Sequence, residues 1–252
     1  MTTLKIIKEE NKVMELSIAN GLFYILREND IQCRLINKEA AYIIEIYEDI
    51  DYEEDLLFPE ITKEKITNTN STMNRSELEK ILVKVNTYLN DSKYLGQIFK
   101  YYEQLDESIL DRELLSKDGA LFIGTSTYTK GVRGYSSAGA SSLKVPLYKK
   151  LLSFIGFIMS TSYFRIKDIV EVNPILIPRN TDEFIRAEFI SYQDKETGET
   201  KHLRMISKKD PKIISLSRLY LLTLKKLAEQ TIAEGYESIW LIQVVPTANK
   251  PL

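Results

Sequence analysis

Apolar residues recur at helical spacing in several parts of the chain. Residues 14–29 carry a broad apolar stripe and predict an amphipathic helix. Residues 146–164, "PLYKKLLSFIGFIMSTSYF", are apolar on most sides and predict a largely buried helix, with Pro146 at its first position. Residues 211–234 predict a long helix that stops at Gly235.

A second group of helices is predicted between the first strands and the middle of the chain. Ser76 and Glu79 have the spacing of a capping box, which satisfies free amides at a helix start. Apolar residues recur behind them, and residues 93–105 and 106–117 predict two further short helices. These helices occupy roughly residues 73–118.

Short apolar or alternating runs predict the strands. Two paired strands are expected with their turn near Asn37, and a hairpin is predicted around the polar stretch "DKETGET". The predicted strands are 30–38, 40–48, 120–128, 168–178 with a break at Pro174, the hairpin 189–206, and 238–245.

This order of elements predicts an α+β fold, in which a mixed or antiparallel sheet packs with helices and carries a helical insertion. We assign residues 1–60 and 119–252 to the α+β domain and residues 61–118 to the insertion.

Composition narrows the class of protein. The chain has 252 residues and a net charge of −2, and no apolar run approaches the roughly 18 residues that cross a bilayer. The N-terminus has no secretory pattern, and the one cysteine, Cys33, fits a reducing compartment. We therefore expect a cytoplasmic protein without a membrane partner.

The small net charge hides a division along the chain. Residues 1–118 carry 24 acids and 15 bases, whereas residues 119–252 carry 12 acids and 19 bases. Residues 119–167 contain seven bases and no Asp or Glu. A positive segment on a nearly neutral protein indicates a localised anionic partner. The alternative is a core helix preceded by a plain polar linker.

The most informative part of this segment is "YTKGVRGYSSAGASSLKVPLYKK", residues 128–150. Its glycines let the backbone approach a ligand, its cations and hydroxyls suit phosphate oxygens, and its tyrosines, Tyr148 among them, offer faces for unpaired bases. We therefore predict a nucleic-acid contact. The predicted contact residues are Lys130, Arg133, Tyr135, Ser136, Ser137, Lys144, Lys149 and Lys150.

Catalytic alternatives have weaker support. One histidine, His202, and one cysteine leave no zinc site or obvious triad, and Cys33 is expected to fill the core. "GALFIGTS" has phosphate-loop spacing, but Thr125 stands where the lysine belongs. "ETK", which begins at Glu199, has the Glu-x-Lys form of a metal-dependent nuclease, with Asp182 or Asp194 as a second carboxylate. It lies in a hydrophilic turn. We predict no catalytic residues, no metal and no cofactor.

The arrangement as a whole resembles the large-subunit family of type I CRISPR surveillance complexes. The similarity lies in "IANGLFYILRENDIQCRL", a helical insert, the basic glycine-rich loop and "VPLYKKLLSFIGFIM". It implies a non-enzymatic subunit that contacts the guide RNA handle, recognises a short motif in target DNA and binds other subunits.

The C-terminal "TANKPL" offers a second contact through Asn249 and Lys250. A third hypothesis is a scaffold whose acidic N-terminal part docks a basic partner.

Overall fold

A computed structural model gives the architecture of the chain. It describes residues 1–9, 12–59, 61, 75–118, 145–161, 164–166, 170–187, 191–193, 200–202, 205–206 and 235–244.

The N-terminal part is a strand, a helix and a hairpin. These elements are β1 (Thr2–Ile7), α1 (Lys12–Glu28), β2 (Cys33–Asn37) and β3 (Ala41–Ile46). β2 and β3 pair antiparallel from Cys33 opposite Ile46 to Asn37 opposite Tyr42, so the predicted hairpin is confirmed. β1 pairs antiparallel with the other side of β3 and was not predicted.

The middle of the chain is helical. Its elements are α2 (Arg75–Leu89), α3 (Ser92–Gln104), a 3-10 turn (Glu107–Ile109), α4 (Arg112–Leu115), β4 (Lys117–Asp118), β5 (Val145–Pro146) and α5 (Leu147–Ser160). The first two predicted helices are confirmed as α2 and α3, whereas the third, predicted over residues 106–117, is divided into the 3-10 turn and the four-residue helix α4. They share one hydrophobic core with α1 and the first sheet, through residues such as Val85, Phe99 and Leu114.

The centre of the molecule is the crossing of α1 and α5. Every residue of α1 from Val13 to Leu26 is buried, as expected for a helix surrounded by other elements. The backbones approach closely because glycines face each other. A Cβ at Gly156 would lie 1.6 Å from the carbonyl oxygen of Ser17, and one at Gly21 would lie 2.5 Å from that of Leu152.

The remaining strands complete two four-stranded sheets. They are β6 (Phe164–Ile166), β7 (Val170–Pro178), β8 (Asn180–Thr181), β9 (Ser191–Gln193), β10 (Thr200–His202), β11 (Met205–Ile206) and β12 (Tyr236–Val244). The first sheet has the order β1-β3-β2-β8 and the second β11-β6-β7-β12, while β9 pairs with β10. β11 runs parallel to β6 and the other pairs are antiparallel, so the α+β class with mixed sheets is confirmed.

The two sheets meet where β7 ends. The N–H of Arg179 donates to the carbonyl of Gly235 at 2.8 Å, and its carbonyl accepts from the N–H of Asn37 at 3.0 Å. Gly235 has φ of 83°, and a Cβ there would lie 1.9 Å from the carbonyl oxygen of Asn180. Only glycine fits this junction. The predicted helix before Gly235 lies outside the described residues.

Three boundaries differ from the predictions. β7 continues through Pro174, which pairs with Leu241, so the predicted break is wrong. The described part of β6 reaches only as far as Val172, and a proline is tolerated where one side of a strand is unpaired. α5 begins at Leu147 with Pro146 as its N-cap residue. It ends at Ser160, four residues before the predicted end.

Candidate nucleic-acid interface

The predicted contact residues divide into two groups. Lys149 and Lys150 lie in the first turn of α5. The other six lie outside the described residues: Lys130, Arg133, Tyr135, Ser136, Ser137 and Lys144. The predicted strand 120–128 lies there as well, and so do Asn249 and Lys250.

The two ends of segment 119–144 are held together. β4 and β5 pair antiparallel, with Asp118 opposite Val145 and Lys117 opposite Pro146. The N–H of Leu147 also donates to the carbonyl of Ser116 at 3.0 Å. The segment therefore leaves and re-enters the fold at one place, directly before α5.

The start of α5 is electropositive. Backbone N–H groups at a helix N-terminus carry partial positive charge, and carboxylates in the first turn usually balance it. The first turn of α5 contains Lys149 and Lys150 and no acid. Both lysines are partly buried, and this charge arrangement favours an anion at this end of the helix.

Lys149 contributes to a small cleft, which we call the β1–α5 cleft. It has a volume of about 50 Å³, enough for a few water molecules or one small group. Its wall is formed by β1, the residues before and within the first turns of α1, the end of α3 and Lys149. The lining residues are Lys5, Ile6, Ile7, Glu9, Met14, Glu15, Ile18, Tyr101, Tyr102, Leu105 and Lys149.

A carboxylate of the N-terminal part faces Lys149. Oε2 of Glu9 lies 3.8 Å from Nζ of Lys149, and the side chains are 62% and 23% exposed, respectively. The backbone N–H of Glu9 donates to Oε1 of Glu15 at 2.7 Å, which fixes the chain at this point. Lys149 is thus held by an acid of the same chain, while Lys5 lines the same cleft.

Tyrosines form the inner wall. The ring centroids of Tyr101 and Tyr148 are 5.1 Å apart, and those of Tyr102 and Tyr148 are 6.1 Å apart. The Tyr102 hydroxyl is buried and has no hydrogen-bond partner among the residues that the structure describes. Burial raises the pKa of Tyr102 well above its ordinary value, and Tyr101 and the Glu9 carboxylate raise it further.

The prediction that Tyr148 offers a face to a base is wrong. Its side chain is fully buried, because Tyr148 lies on the core side of α5 with Leu151 and Leu152. The next two residues, Lys149 and Lys150, lie toward the surface of the same helical turn.

Two of the apolar side chains that line the cleft are exposed. Ile7 is 46% and Leu105 is 40% exposed. Leu105 follows α3 with φ of 57°, a left-handed conformation that is costly for a leucine. No local sequence pattern predicts this cleft, since its residues come from four separate parts of the chain.

Of the residues considered for catalysis, the structure describes Cys33, His202 and Asp182. Cys33 is 2% exposed, and burial raises the pKa of its thiol to about 12, so the expected core position is confirmed. His202 pairs with Ser191 in β10. Asp182 lies 4.0 Å from Arg34 in an exposed ion pair. Glu199 and Asp194 lie outside the described residues.

Two further properties follow from the described part of the chain. It contains no group of three or more His, Cys, Asp or Glu side chains that could hold a metal ion. Within the same residues, no helix has the length and apolar character needed to span a membrane.

Comparisons with known proteins do not assign this chain to a family. No protein-family model matches this sequence, and no curated protein matches it significantly.

Proposed function

We propose that this protein is a non-catalytic nucleic-acid-binding subunit, whose principal contact is the basic Gly/Ser-rich segment that precedes α5. The observation that carries the proposal is the charge of residues 119–167, which include this segment and α5 and have seven bases and no acid in a chain of net charge −2. Such a segment binds phosphates without regard to sequence, and its individual cations can also contact base edges.

The placement of the segment supports this role. β4 and β5 join its two ends, and α5 follows immediately with Lys149 and Lys150 in its first turn. A ligand held by the segment would therefore lie next to a rigid, positively charged helix end. Because this helix end is already rigid, less conformational entropy is lost on binding than at a contact made only by a flexible loop.

The similarity to the large subunits of type I CRISPR complexes gives the proposal a more specific form. In that form the ligands are a guide RNA handle and a short motif in target DNA, and other subunits of the complex are the protein partners. Base pairing would then select the target sequence, and this subunit would contact backbone and motif.

A salt titration tests the proposal. Each lost phosphate contact on a single strand changes the slope of log K against log salt by roughly 0.7. Replacing Lys130, Arg133 and Lys144 with Ala together should therefore flatten the slope by about two units in a filter-binding titration with a single-stranded oligonucleotide.

The matched control removes three cations from the helical part of the chain. Lys93 and Lys100 form exposed ion pairs with Asp111 and Glu53, and Lys80 is exposed on α2. Replacing these three with Ala changes the net charge equally and should leave the slope nearly unchanged. Equal slopes for the two triple variants would contradict the proposal.

An activity assay separates this role from the nuclease hypothesis. The purified protein is incubated with labelled DNA or RNA and Mg²⁺ or Mn²⁺, and we expect intact nucleic acid. Metal-dependent cleavage that Glu199→Ala abolishes would overturn the non-catalytic assignment.

A further inference from the structure

β1 is an edge strand. In the described part of the chain the first sheet has the order β1-β3-β2-β8, so β1 has a strand on one side only. The N–H of Lys8 donates to the carbonyl of Ala40 at 2.9 Å, which makes these two residues a hydrogen-bonded pair. Such pairs alternate along antiparallel strands, so every odd-numbered residue of β1 directs its N–H and C=O away from β3. These residues are Thr3, Lys5 and Ile7.

The outward backbone groups of β1 have no hydrogen-bond partner among the residues that the structure describes. A row of unpaired N–H and C=O groups on a sheet edge is a template for a further strand. Exposed apolar side chains lie at the same edge. Ile7 and Leu105 line the β1–α5 cleft and are 46% and 40% exposed, and Met1, directly before β1, is 75% exposed.

The edge is complementary to a second copy of itself. Leu4 and Ile6 are buried, so the side chains of Thr3, Lys5 and Ile7 lie on the outer face of the sheet. Two β1 strands that pair antiparallel about Leu4 bring outward backbone groups opposite each other. Thr3 of each copy then lies opposite Lys5 of the other, and Ile7 lies opposite the exposed Met1.

Charge also favours this pairing. Glu45 lies opposite Thr3 on β3, so the outer face gains a row of Glu45, Thr3 and the second copy's Lys5. Within the described residues neither Glu45 nor Lys5 forms an ion pair. Strands two positions apart are separated by roughly 10 Å, which a glutamate and a lysine span together across a small threonine. Centring the pair on Lys5 instead would place two lysines opposite each other, which is unfavourable.

We propose that the edge of β1 is a self-association surface, at which two copies of this chain pair their β1 strands antiparallel about Leu4. The two four-stranded sheets then form one continuous sheet across a twofold axis. A second copy is the occupant because the edge matches itself in backbone groups, charge and apolar side chains. The contact is only six residues long, so the dimer is weak and depends on concentration. This inference goes beyond the proposed function and does not depend on it.

Sedimentation velocity of the full chain tests the proposal. Over concentrations from about 2 to 200 μM, a weak dimer gives a sedimentation coefficient that rises from monomer to dimer. Thr3→Glu places an acid directly opposite Lys5 of the second copy and should tighten dimerisation by about fivefold. Thr3→Lys places two cations opposite each other and should weaken it by about fivefold.

The same two variants exclude an indirect effect through stability. Thr3 also faces Glu45 of its own chain, so Thr3→Lys gains an attractive pair in the monomer and Thr3→Glu gains a repulsive one. Monomer stability, measured by urea denaturation at low concentration, should therefore change in the direction opposite to dimer affinity. Adding Lys5→Glu to Thr3→Lys exchanges the charges of the facing pair and should restore dimerisation.

Thr87→Lys is the matched charge control. Thr87 is exposed on α2, so the same substitution is made away from β1. It changes the net charge equally and should leave dimerisation unchanged.

Thr3→Pro tests the backbone contact. The Thr3 N–H is directed away from β3, so proline keeps the β1–β3 pairing and removes a donor that only the second copy uses. We expect a folded chain, with an unchanged circular dichroism spectrum, that stays monomeric.

The outcomes decide the proposal. A dimer that Thr3→Glu tightens, Thr3→Lys weakens and Thr3→Pro abolishes supports it. A wild-type chain that is monomeric at every concentration overturns it. A dimer that forms equally well in Thr3→Lys and Thr3→Pro also overturns it, since the interface then lies elsewhere.

Discussion

At the scale of single residues, Gly156 is the position with the least space. A methyl group there would lie 1.6 Å from the Ser17 carbonyl oxygen and 2.6 Å from the Gly21 backbone nitrogen. Both atoms are backbone, so α1 and α5 would have to separate. We expect Gly156→Ala to lower the free energy of unfolding by about 3 kcal/mol, the upper part of the range for overpacked cores, as measured by urea denaturation.

Gly96 provides the matched glycine. It also lies within a helix, α3, but a Cβ there would meet the Glu53 side chain at 2.4 Å, and this partly exposed side chain can shift at the cost of no more than its surface ion pair with Lys100. Because Ala is a better helix former than Gly by about 1 kcal/mol, we expect Gly96→Ala to be tolerated. Similar losses for both variants would contradict the close crossing of α1 and α5.

The Cys33 thiol is predicted to be unreactive in the folded protein. Burial raises its pKa to about 12, so at pH 8 its thiolate fraction is roughly a thousandfold below that of a free cysteine. A thiol reagent that detects thiolate should label the native protein very slowly and label it promptly in denaturant. Rapid labelling of the native protein would show that β2 is not packed against the core as described.

At the scale of elements, helix α1 is followed by a residue that is unfavourable at a helix C-terminus. Asp30 has φ of 58° just after the helix, and the Ile31 N–H donates to the Leu26 carbonyl at 3.0 Å, as in a C-terminal capping turn. A carboxylate is unfavourable at the negative end of the helix dipole, and the left-handed conformation is costly for residues other than glycine. We expect Asp30→Gly to raise the free energy of unfolding by about 1 kcal/mol in the same denaturation assay.

Asp30→Ala separates the two causes. It removes the charge but keeps a Cβ at a left-handed position, so it should be less stable than Asp30→Gly by about 1 kcal/mol. Equal stabilities would mean that the charge alone determines the effect.

At the scale of the whole molecule, the elements that could be predicted are those whose sequence pattern repeats within a few residues. The β2–β3 hairpin and the buried helix α5 follow from local periodicity and turn residues. β1 was missed because only Leu4 and Ile6 of its residues are fully buried, and its pairing with β3 is distant in sequence. The break at Pro174 was wrong because a local rule on proline ignores whether a neighbouring strand is present.

The candidate site was predictable only in part. The charge pattern indicated the segment before α5, and Lys149 and Lys150 do lie at the start of that helix. The partner of Lys149 was not predictable, since Glu9 belongs to the first residues of the chain and reaches Lys149 only through the fold. The burial of Tyr148 follows from the way α5 meets α3 and α4, which no local pattern encodes.

The pairing of Asp118 with Val145 has a consequence for how this protein can vary. A peptide whose two ends are adjacent can be lengthened, shortened or exchanged without moving the strands that bear it, because closing a longer loop adds little entropy cost. Evolution can therefore change the length and sequence of residues 119–144 at this one junction, while the crossing of α1 and α5 keeps the scaffold constant.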